Sequence, residues 1–288
     1  MKVLMVGATG KYAGLALPEL KKHGAKVRAL VRPKDEAAAR ELGADEVVIG
    51  DLRDSNSLSK AATGVDGVFH IGPAFAPDES DMGIAMLDAA KAAGAGKFVF
   101  SGVIHPSSTR LPNHAAKLPV EQAIYESGMN FIVLQPAIFM QTIEMGWDEV
   151  LNEGCFSLPY SKNVKACYVD YRDVADVAAQ ALTTNRLDYG TFELCAPSQI
   201  DRVGLASLMS ETLGKHIEAG ELSTEEWMQK SRIPDEHVRE GLKRMYAHYD
   251  RCGFPGGNAL ILRTILNREP RTLKQFLYEL SRRTVKAA

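Results

Sequence analysis

The feature that most constrains the fold lies at the start of the chain, where a short apolar run breaks into glycines. Residues 2–6 read Lys-Val-Leu-Met-Val, and Gly7-Ala8-Thr9-Gly10 follows directly. A buried strand, a glycine-rich turn and a helix are the beginning of a dinucleotide-binding crossover. Gly7 permits the tight turn, and Gly10 lets the backbone approach a pyrophosphate because it has no Cβ. The chain is therefore predicted to open with a nucleotide-binding βαβ unit.

A glycine-rich turn also ends strands for purely local reasons, so its position in the chain decides between the two interpretations. This turn opens the chain and is followed by a helical segment that ends at Gly24, ahead of a second apolar run. That context favours nucleotide binding. The residues expected to contact the cofactor here are Gly7, Thr9, Gly10, Lys11, Tyr12 and Ala13. Pro18 lies inside the helical segment, where a lost hydrogen bond costs roughly 3 kcal/mol, so a kink is expected there.

Apolar runs alternate with helical patterns through the first two thirds of the chain. After the first strand, the predicted strands are 26–31, 46–50, 67–71, 97–101 and 130–135. Helices are expected between them, including 82–93 and 115–126. This alternation predicts an α/β fold with a doubly wound parallel sheet and right-handed crossovers. Ligands of such sheets bind at the carboxyl ends of the strands.

Past Pro136 the pattern loosens. Residues 138–151 are predicted to be helical, and from Ser198 onward the chain is mainly helical in pattern. We therefore expect a Rossmann domain over 1–196, with 156–165 able to contribute to a second lobe. A smaller, mainly helical C-terminal lobe over 197–288 is expected to bind the substrate or a partner.

Charge and cysteine content exclude several classes of protein. The formal net charge is -2, from 34 basic and 36 acidic residues, which gives no electrostatic reason to expect a nucleic-acid partner. The four cysteines lie far apart, so neither a metal site nor a disulfide framework is predicted. Met1 leads directly into the first strand, and the longest uncharged stretch, 127–143, is interrupted by polar residues and a proline. We expect no membrane span and a cytoplasmic location.

Polar and small residues follow several predicted strands. NAD-specific sites usually carry an acid after the second strand, but this chain has Arg32, with Lys34 nearby. A guanidinium can bind two oxygens of a 2′-phosphate, although both side chains can also be ordinary solvated residues. Asp51 follows the third strand, where a turn cap is an equally good explanation. Gly72, Pro73 and Ala74 follow the fourth strand and can pass beneath a nicotinamide ribose, although a Gly-Pro turn needs no ligand.

These residues, together with motifs further along the chain, carry a resemblance. The motifs are Gly7-Ala8-Thr9-Gly10, Val31-Arg32, Gly50-Asp51-Leu52, Phe98-Val99-Phe100-Ser101, Lys117 with Val120-Glu121, Tyr168-Val169-Asp170, Asp173-Val174-Ala175, His248-Tyr249-Asp250, Gly253-Phe254, and Arg268-Glu269-Pro270-Arg271-Thr272 before Phe276. Over nearly its whole length the chain resembles the NmrA-like members of the atypical short-chain dehydrogenase/reductases. The resemblance implies a Rossmann domain, NADP(H) in preference to NAD(H), and either reductase activity or nucleotide sensing. It also implies that Asp51 and Leu52 lie near the adenine, and that Ser101, Lys117 and Pro136 lie near the cofactor.

The catalytic pair of standard family members is missing. They use a Tyr-x-x-x-Lys pair, in which the lysine lowers the pKa of the tyrosine. Here Lys117 stands at the lysine position, but Asn113 precedes it by four residues and no such pair occurs elsewhere. The resemblance implies that Lys117 still holds the nicotinamide ribose. His114 is a candidate proton donor because its ordinary pKa is about 6.5, although a loop or cap role is also open, as it is for His105.

The leading hypothesis is an NADP(H)-dependent oxidoreductase that reduces a small carbonyl, quinone or enone. Lys117 would position the cofactor, and the proton would come from His114 or water. The alternative is a non-catalytic redox sensor that binds NADP(H) and acts through a regulatory protein partner, which the missing tyrosine favours. A nucleotide-sugar epimerase is a weaker third hypothesis because that chemistry also depends on the missing tyrosine. Either leading hypothesis is compatible with an oligomer.

Overall fold

Strands and helices alternate from the first residues of the chain onward. The structure, a computed structural model, describes residues 1–197, 199–231 and 233–287; Ser198, Arg232 and Ala288, all in the expected C-terminal lobe, lie outside the described residues. The strands are β1 Lys2–Val6, β2 Lys26–Val31, β3 Glu46–Ile49, β4 Gly67–His70, β5 Lys97–Ser101, β6 Asn130–Pro136, β7 Ile138–Phe139, β8 Cys155–Leu158, β9 Ala166–Val169, β10 Gly190–Leu194, β11 Gln199–Ile200 and β12 Glu218–Glu221. The α-helices are α1 Ala16–Lys22, α2 Glu36–Glu41, α3 Ser55–Ala62, α4 Glu79–Ala92, α5 Pro112–Ala115, α6 Leu118–Glu126, α7 Trp147–Glu153, α8 Tyr171–Thr183, α9 Arg202–Leu213, α10 Thr224–Ser231, α11 Glu236–Cys252, α12 Leu260–Leu266 and α13 Leu273–Ala287. Helices of the 3-10 type cover Ala13–Leu15, Pro33–Asp35 and Met140–Gly146.

Seven of the described strands form one sheet in the order β10-β6-β5-β4-β1-β2-β3. The pairs from β6 to β3 are parallel, and Val3 of β1 is in register with Val27 on one side and Gly67 on the other. The chain order reverses at β1, which lies between β2 and β4. This reversal is the topological switch point of a doubly wound sheet. The predicted α/β fold is confirmed.

The sheet is stabilised because its central strands β1, β4 and β5 are buried on both faces. One core cluster contains Leu4, Val68 and Phe98 from the strands, together with Leu58 of α3 and Met86 of α4. Side chains alternate between the faces of a strand, so the neighbouring apolar residues form a second core on the opposite face. There α1 packs against α8, whereas α3 and α6 pack against α4 on the face of the first cluster. Helices on both faces are what the continuous apolar strands predict.

The chain divides into two compact units. The first contains Met1–Thr109, Asn113–Pro136 and Tyr171–Glu193. The second contains Arg110–Pro112, Ala137–Asp170 and Leu194–Ala288. The expected division placed the boundary at residue 196, with only 156–165 able to join the second lobe, whereas the whole segment 137–170 clusters with the second unit.

The second unit is mainly helical but also contains small sheets. Strand β9 pairs with β7 in parallel and with β11 in antiparallel fashion, and β12 pairs in parallel with β8. Its aromatic core includes Tyr160, Trp227, Tyr246, Tyr249 and Phe254. The helix predicted over 138–151 is wrong only at its start, because Ile138 and Phe139 form β7, whereas Met140–Gly146 is a 3-10 helix and the α-helix begins at Trp147. Strand pairing has overridden the local helical pattern.

Two helices differ from their predicted form, and a proline explains each difference. The helix predicted over 115–126 is interrupted, since α5 ends at Ala115 and α6 begins at Leu118, with Pro119 in its first turn and Lys117 at its N-cap position. Pro18 likewise lies in the first turn of α1, after the 3-10 helix. A missing N–H in a first turn breaks no intrahelical hydrogen bond. The kink expected at Pro18 is therefore not required. None of the described helices has the length and apolar character needed to cross a bilayer.

Candidate functional site

A cleft of about 380 Å³ lies at the carboxyl ends of β1, β2, β3 and β4, where the topological switch point predicts a ligand. Eleven of the residues predicted from the sequence line it, namely Gly7, Thr9, Gly10, Lys11, Tyr12, Ala13, Arg32, Asp51, Leu52, Gly72 and Pro73. Further lining residues were not predicted, namely Val6, Leu30, Val31, Asp35, Gly50, Arg53, Ile71 and Met82. Lys34, Ala74, Ser101, His114, Lys117 and Pro136 do not line this cleft.

The turn after β1 needs its glycines. Gly7 has a φ of +75°, and the N–H of Gly10 donates to the Gly7 carbonyl at 2.8 Å. A Cβ on Gly10 would lie 3.1 Å from that carbonyl oxygen, and one on Gly14 would lie 3.0 Å from the carbonyl oxygen of Ala8. The turn is therefore tight, and it presents backbone without side-chain bulk to the cleft. Such a surface fits the pyrophosphate of a dinucleotide.

Arg32 brings a positive charge to the end of β2. Its side chain is 62% exposed, and its Nε donates to Oδ2 of Asp35 at 3.1 Å. Its terminal amino groups have no protein partner within the described part of the chain, so they remain available to an anion in the cleft. Lys34 is exposed on the same 3-10 helix but does not reach the lining. Asp35 was not predicted to line the cleft, because it lies four residues beyond the end of β2 and no cofactor motif covers that position.

The turn after β3 is held by short polar contacts. Oδ1 of Asp51 accepts the N–H of Arg53 at 2.9 Å, so this carboxylate does cap a turn while it lines the cleft. Asp54, not Asp51, caps α3, through the N–H of Asn56. Arg53 makes a bidentate pair with Asp78, with Nε 2.6 Å from Oδ2 and Nη2 2.9 Å from Oδ1. This hydrogen-bonded pairing lowers the pKa of Asp78 and raises that of Arg53.

Lys117 lies in a buried ion pair. Its Nζ is 2.5 Å from Oε1 of Glu79 and 3.1 Å from the carbonyl oxygen of Asn113. Both charged side chains are almost fully buried. Oε2 of Glu79 also accepts the N–H of Phe75 at 3.1 Å, and a Cβ on Gly72 would lie 3.2 Å from Oε1. Glu79 therefore connects Lys117 to the loop that follows β4, and no sequence pattern identified this acid beforehand.

The two histidine candidates share one loop. His114 is fully buried, and its Nδ1 lies 3.0 Å from the carbonyl oxygen of His105. His105 has a φ of +53°, an uncommon conformation for a residue with a side chain, and its Nε2 lies 3.5 Å from Oε1 of Glu193. The hydrogen bond from His114 holds this unusual backbone in place. This contact supports a structural role for His114.

Ser101 and Pro136 end neighbouring strands. Oγ of the buried Ser101 lies 3.2 Å from the hydroxyl of Tyr171, whose ring centroid lies 6.0 Å from that of Tyr12 in the glycine loop. Burial raises the pKa of Tyr171, so its phenol stays protonated. The carbonyl of Pro136 accepts the N–H of Ile104 at 3.0 Å. These contacts connect the ends of β5 and β6 to the surrounding loops.

Two further buried groups in the first unit have strongly shifted pKa values. His70 stacks on Phe98 and Phe100 and is fully buried, and burial, helped by the charge of Lys117, lowers its pKa to about 4. Burial raises the pKa of Glu121 to about 7, although the amide of Gln135 donates to its Oε2 at 2.8 Å. His70 is therefore neutral near pH 7, and Glu121 is close to half protonated. Neither group was predicted as part of a site.

Known proteins match both the sequence and the fold of this chain. Residues 1–278 match the model of the NmrA-like family. An NAD(P)H azoreductase from Xenophilus azovorans is 33% identical over 220 residues, which cover 75% of each chain. The fold is similar to that of the NADPH-dependent quinone oxidoreductase from Escherichia coli complexed with NADPH, with a TM-score of 0.83 and 20% identity over 96% of this chain and 99% of the other. It is also similar to that of NmrA, a negative transcriptional regulator, in complex with NAD, with a TM-score of 0.79 and 17% identity over 97% and 94%.

Proposed function

Because this chain belongs to the NmrA-like family, we propose that it is an NADP(H)-dependent oxidoreductase that reduces a small carbonyl, quinone or enone. The observation that carries the proposal is the cleft at the switch point, which combines a bulk-free glycine turn with the available cation Arg32. The 33% identical relative is named as a reductase that uses NAD(P)H, and a fold neighbour is named as an NADPH-dependent quinone oxidoreductase. These names favour catalysis over sensing alone.

The proposed cofactor contacts begin in the cleft and extend to predicted residues that do not line it, namely Lys34, Ala74, Ser101 and Pro136. The glycine turn, with Thr9, Lys11, Tyr12 and Ala13, would hold the pyrophosphate. Arg32, with Lys34 nearby, would bind the 2′-phosphate, and Asp51 with Leu52 would contact the adenine. Gly72, Pro73 and Ala74 would pass beneath the nicotinamide ribose, while Ser101 and Pro136 would border it. The bound cofactor supplies the hydride, so the task of the protein is orientation and exclusion of water.

Lys117 is proposed to hold the nicotinamide ribose. Its ammonium is 2.5 Å from Glu79, so contact with a ribose hydroxyl requires this ammonium to be shared with the carboxylate or released from it. Lysine carries three donors, and Lys117 uses two of them on Glu79 and Asn113. The third N–H donor of Lys117 could therefore bind a ribose hydroxyl while the ammonium stays paired with Glu79. Glu79 would then fix the direction from which Lys117 approaches the cofactor.

The proton that accompanies hydride transfer is proposed to come from His114 or from water. His114 is the nearest titratable residue in sequence to the position of the missing tyrosine, and imidazole titrates near neutral pH. Water is the alternative proton source if solvent can reach the oxygen of the bound substrate.

The cofactor part of the proposal can be tested by titrating NADPH fluorescence with the protein and with Gly10→Asp. The substitution adds a carboxylate where the pyrophosphate would lie, so we expect it to abolish binding. Gly96→Asp is the matched control, because Gly96 is exposed, has no positive φ and does not line the cleft, and a Cβ there would lie 3.4 Å from the carbonyl oxygen of Asp66. Unchanged NADPH affinity in a folded Gly10→Asp variant would contradict the assignment of the turn.

A further inference from the structure

Two arginines line the cofactor cleft, and the protein holds their guanidinium groups differently. Arg32 makes one contact of 3.1 Å, from Nε to Asp35. Arg53 directs Nε and Nη2 at the two oxygens of Asp78, at 2.6 and 2.9 Å, and its Nη1 lies 3.9 Å from Asp51. The side chain of Arg53 is nevertheless 57% exposed. The two residues therefore offer different surfaces to a ligand.

A guanidinium donates hydrogen bonds only in its own plane. In Arg53 the edge that carries Nε and Nη2 is occupied by Asp78, and Nη1 is on the side of Asp51. The flat face of the group remains for a ligand, as does its Nη1–Nη2 edge, because Asp51 approaches Nη1 only to 3.9 Å. Guanidinium faces stack on aromatic rings, with a contribution from cation–π attraction. The fixed plane of Arg53 therefore suits a ring, which distinguishes it from the more loosely held Arg32.

The local charges support the same distinction. Arg53 lies between two carboxylates, so this group of three side chains carries one net negative charge, which repels an anion. Arg32 with Asp35 is neutral overall and keeps its terminal amino groups available. A 2′-phosphate is consequently favoured beside Arg32 and disfavoured beside Arg53.

The cleft is also lined by apolar side chains. Leu30, Leu52 and Met82 line it, and Met82 belongs to α4, the helix that begins directly after Asp78. The Arg53–Asp78 pair therefore joins the loop after β3 to the start of α4, beside an apolar surface that fits a planar base. Bidentate geometry makes this exposed pair more ordered than a typical surface ion pair.

We propose that Arg53, held by Asp78, covers the purine ring of the cofactor with the face of its guanidinium. Arg53 then recognises the adenine part that NADPH and NADH share, whereas Arg32 distinguishes the two cofactors. Asp78 is a positioning residue, since it acts only through Arg53. This inference rests on the proposed cofactor function.

Calorimetric binding of NADPH, NADH, AMP and reduced nicotinamide mononucleotide tests the proposal without any turnover. Arg53→Ala should weaken NADPH, NADH and AMP by a similar factor of about 3- to 30-fold and leave the nicotinamide mononucleotide unchanged. Arg53→Lys should resemble Arg53→Ala, because lysine keeps the charge but loses the plane. Asp78→Asn should weaken NADPH and NADH equally and by a smaller factor. Arg32→Ala is the matched control, since its effect should be confined to NADPH.

Several results would overturn the inference. A loss confined to NADPH in Arg53→Ala would make Arg53 a phosphate ligand, and full affinity in Arg53→Lys would show that charge alone matters. Unchanged affinity for AMP in Arg53→Ala would remove Arg53 from the adenine site while leaving the cofactor proposal intact. If the parent protein binds neither NADPH nor NADH, the cofactor proposal itself fails, and this inference fails with it.

Discussion

At the scale of single residues, the proposed preference for NADPH rests on Arg32. Its terminal amino groups are available to a 2′-phosphate, and a lost charged hydrogen bond costs about 1.5–3 kcal/mol. Arg32→Ala should therefore weaken NADPH binding by that amount and leave NADH binding nearly unchanged, as measured by fluorescence titration of both cofactors. Equal weakening of both, or tighter NADH binding by the parent protein, would contradict the assignment.

Substitution of His114 tests whether this residue or water supplies the proton. If His114 is the acid, His114→Ala should lower kcat by about 10²–10⁴-fold with NADPH affinity preserved, and the rate of the parent protein should fall as the imidazole loses its proton. Normal turnover of the folded variant, with an unaltered pH profile, would assign the proton to water. The thermal stability of the variant should be measured in parallel, because His114 also contacts the carbonyl of His105.

Residues that follow strands were predictable from the sequence, and their partners were not. The glycine turn, Arg32 and Asp51 come directly after apolar runs, so the parallel sheet alone brings them to one edge. Glu79 pairs with Lys117 across 38 positions, and Arg53 pairs with Asp78 across 25. One sequence contains no signal for such distant pairs, because each depends on how the helices pack.

At the scale of elements, the buried Glu79–Lys117 pair joins the first turn of α4 to the start of α6. Removing one partner leaves an uncompensated buried charge, which typically costs 3–5 kcal/mol, roughly the loss expected for Glu79→Gln or Lys117→Met. The double variant should be more stable than the sum of the single losses predicts, as measured by urea unfolding. The matched control is the exposed Lys274–Glu211 pair, where Glu211→Gln should change stability by less than about 1 kcal/mol. Additive losses at positions 79 and 117 would show that the two side chains are not coupled.

The strong apolar periodicity of the sequence predicted the strands and helices of the main sheet. Strand pairing and proline position determined the remaining elements. Strands β2 and β5 have the predicted bounds, because each is a short, mainly apolar run that lies inside the sheet. Strand β12 was not predicted, because Ala219 and Gly220 have low strand propensity and the strand exists through its pairing with β8. The break before α6 follows from Pro119. Proline favours the first turn of a helix, so a helix start at Leu118 could have been predicted in place of one helix over 115–126.

At the scale of the whole molecule, stability should depend on pH through Glu121. The pKa of its carboxyl rises from 4.5 to about 7 on folding, so the folded state binds this proton more tightly than the unfolded state does. The resulting stabilisation is complete below pH 4.5 and is lost as the pH rises through 7. His70, whose pKa falls from 6.5 to about 4, has the opposite effect: its stabilisation is present above pH 6.5 and is lost as the pH falls through 4.

Comparison of the parent protein with Glu121→Gln isolates the carboxyl, because His70 contributes equally to both. From pH 4.5 to 8, the free energy of unfolding of the parent should fall relative to that of the variant by on the order of 2–3 kcal/mol. Chemical denaturation at several pH values measures this difference. A difference that does not change with pH would mean that Glu121 keeps an ordinary pKa.

The most direct test of the central claim is NADPH consumption by the purified protein across a panel of quinones, aldehydes and enones. We predict turnover with at least one of these substrates, one equivalent of reduced product for each NADPH consumed, and loss of turnover in Gly10→Asp but not in Gly96→Asp. The contradictory result is an absence of turnover on every substrate while bound NADPH changes the protease sensitivity or the oligomeric state of the protein. That result would identify a redox sensor in place of a reductase.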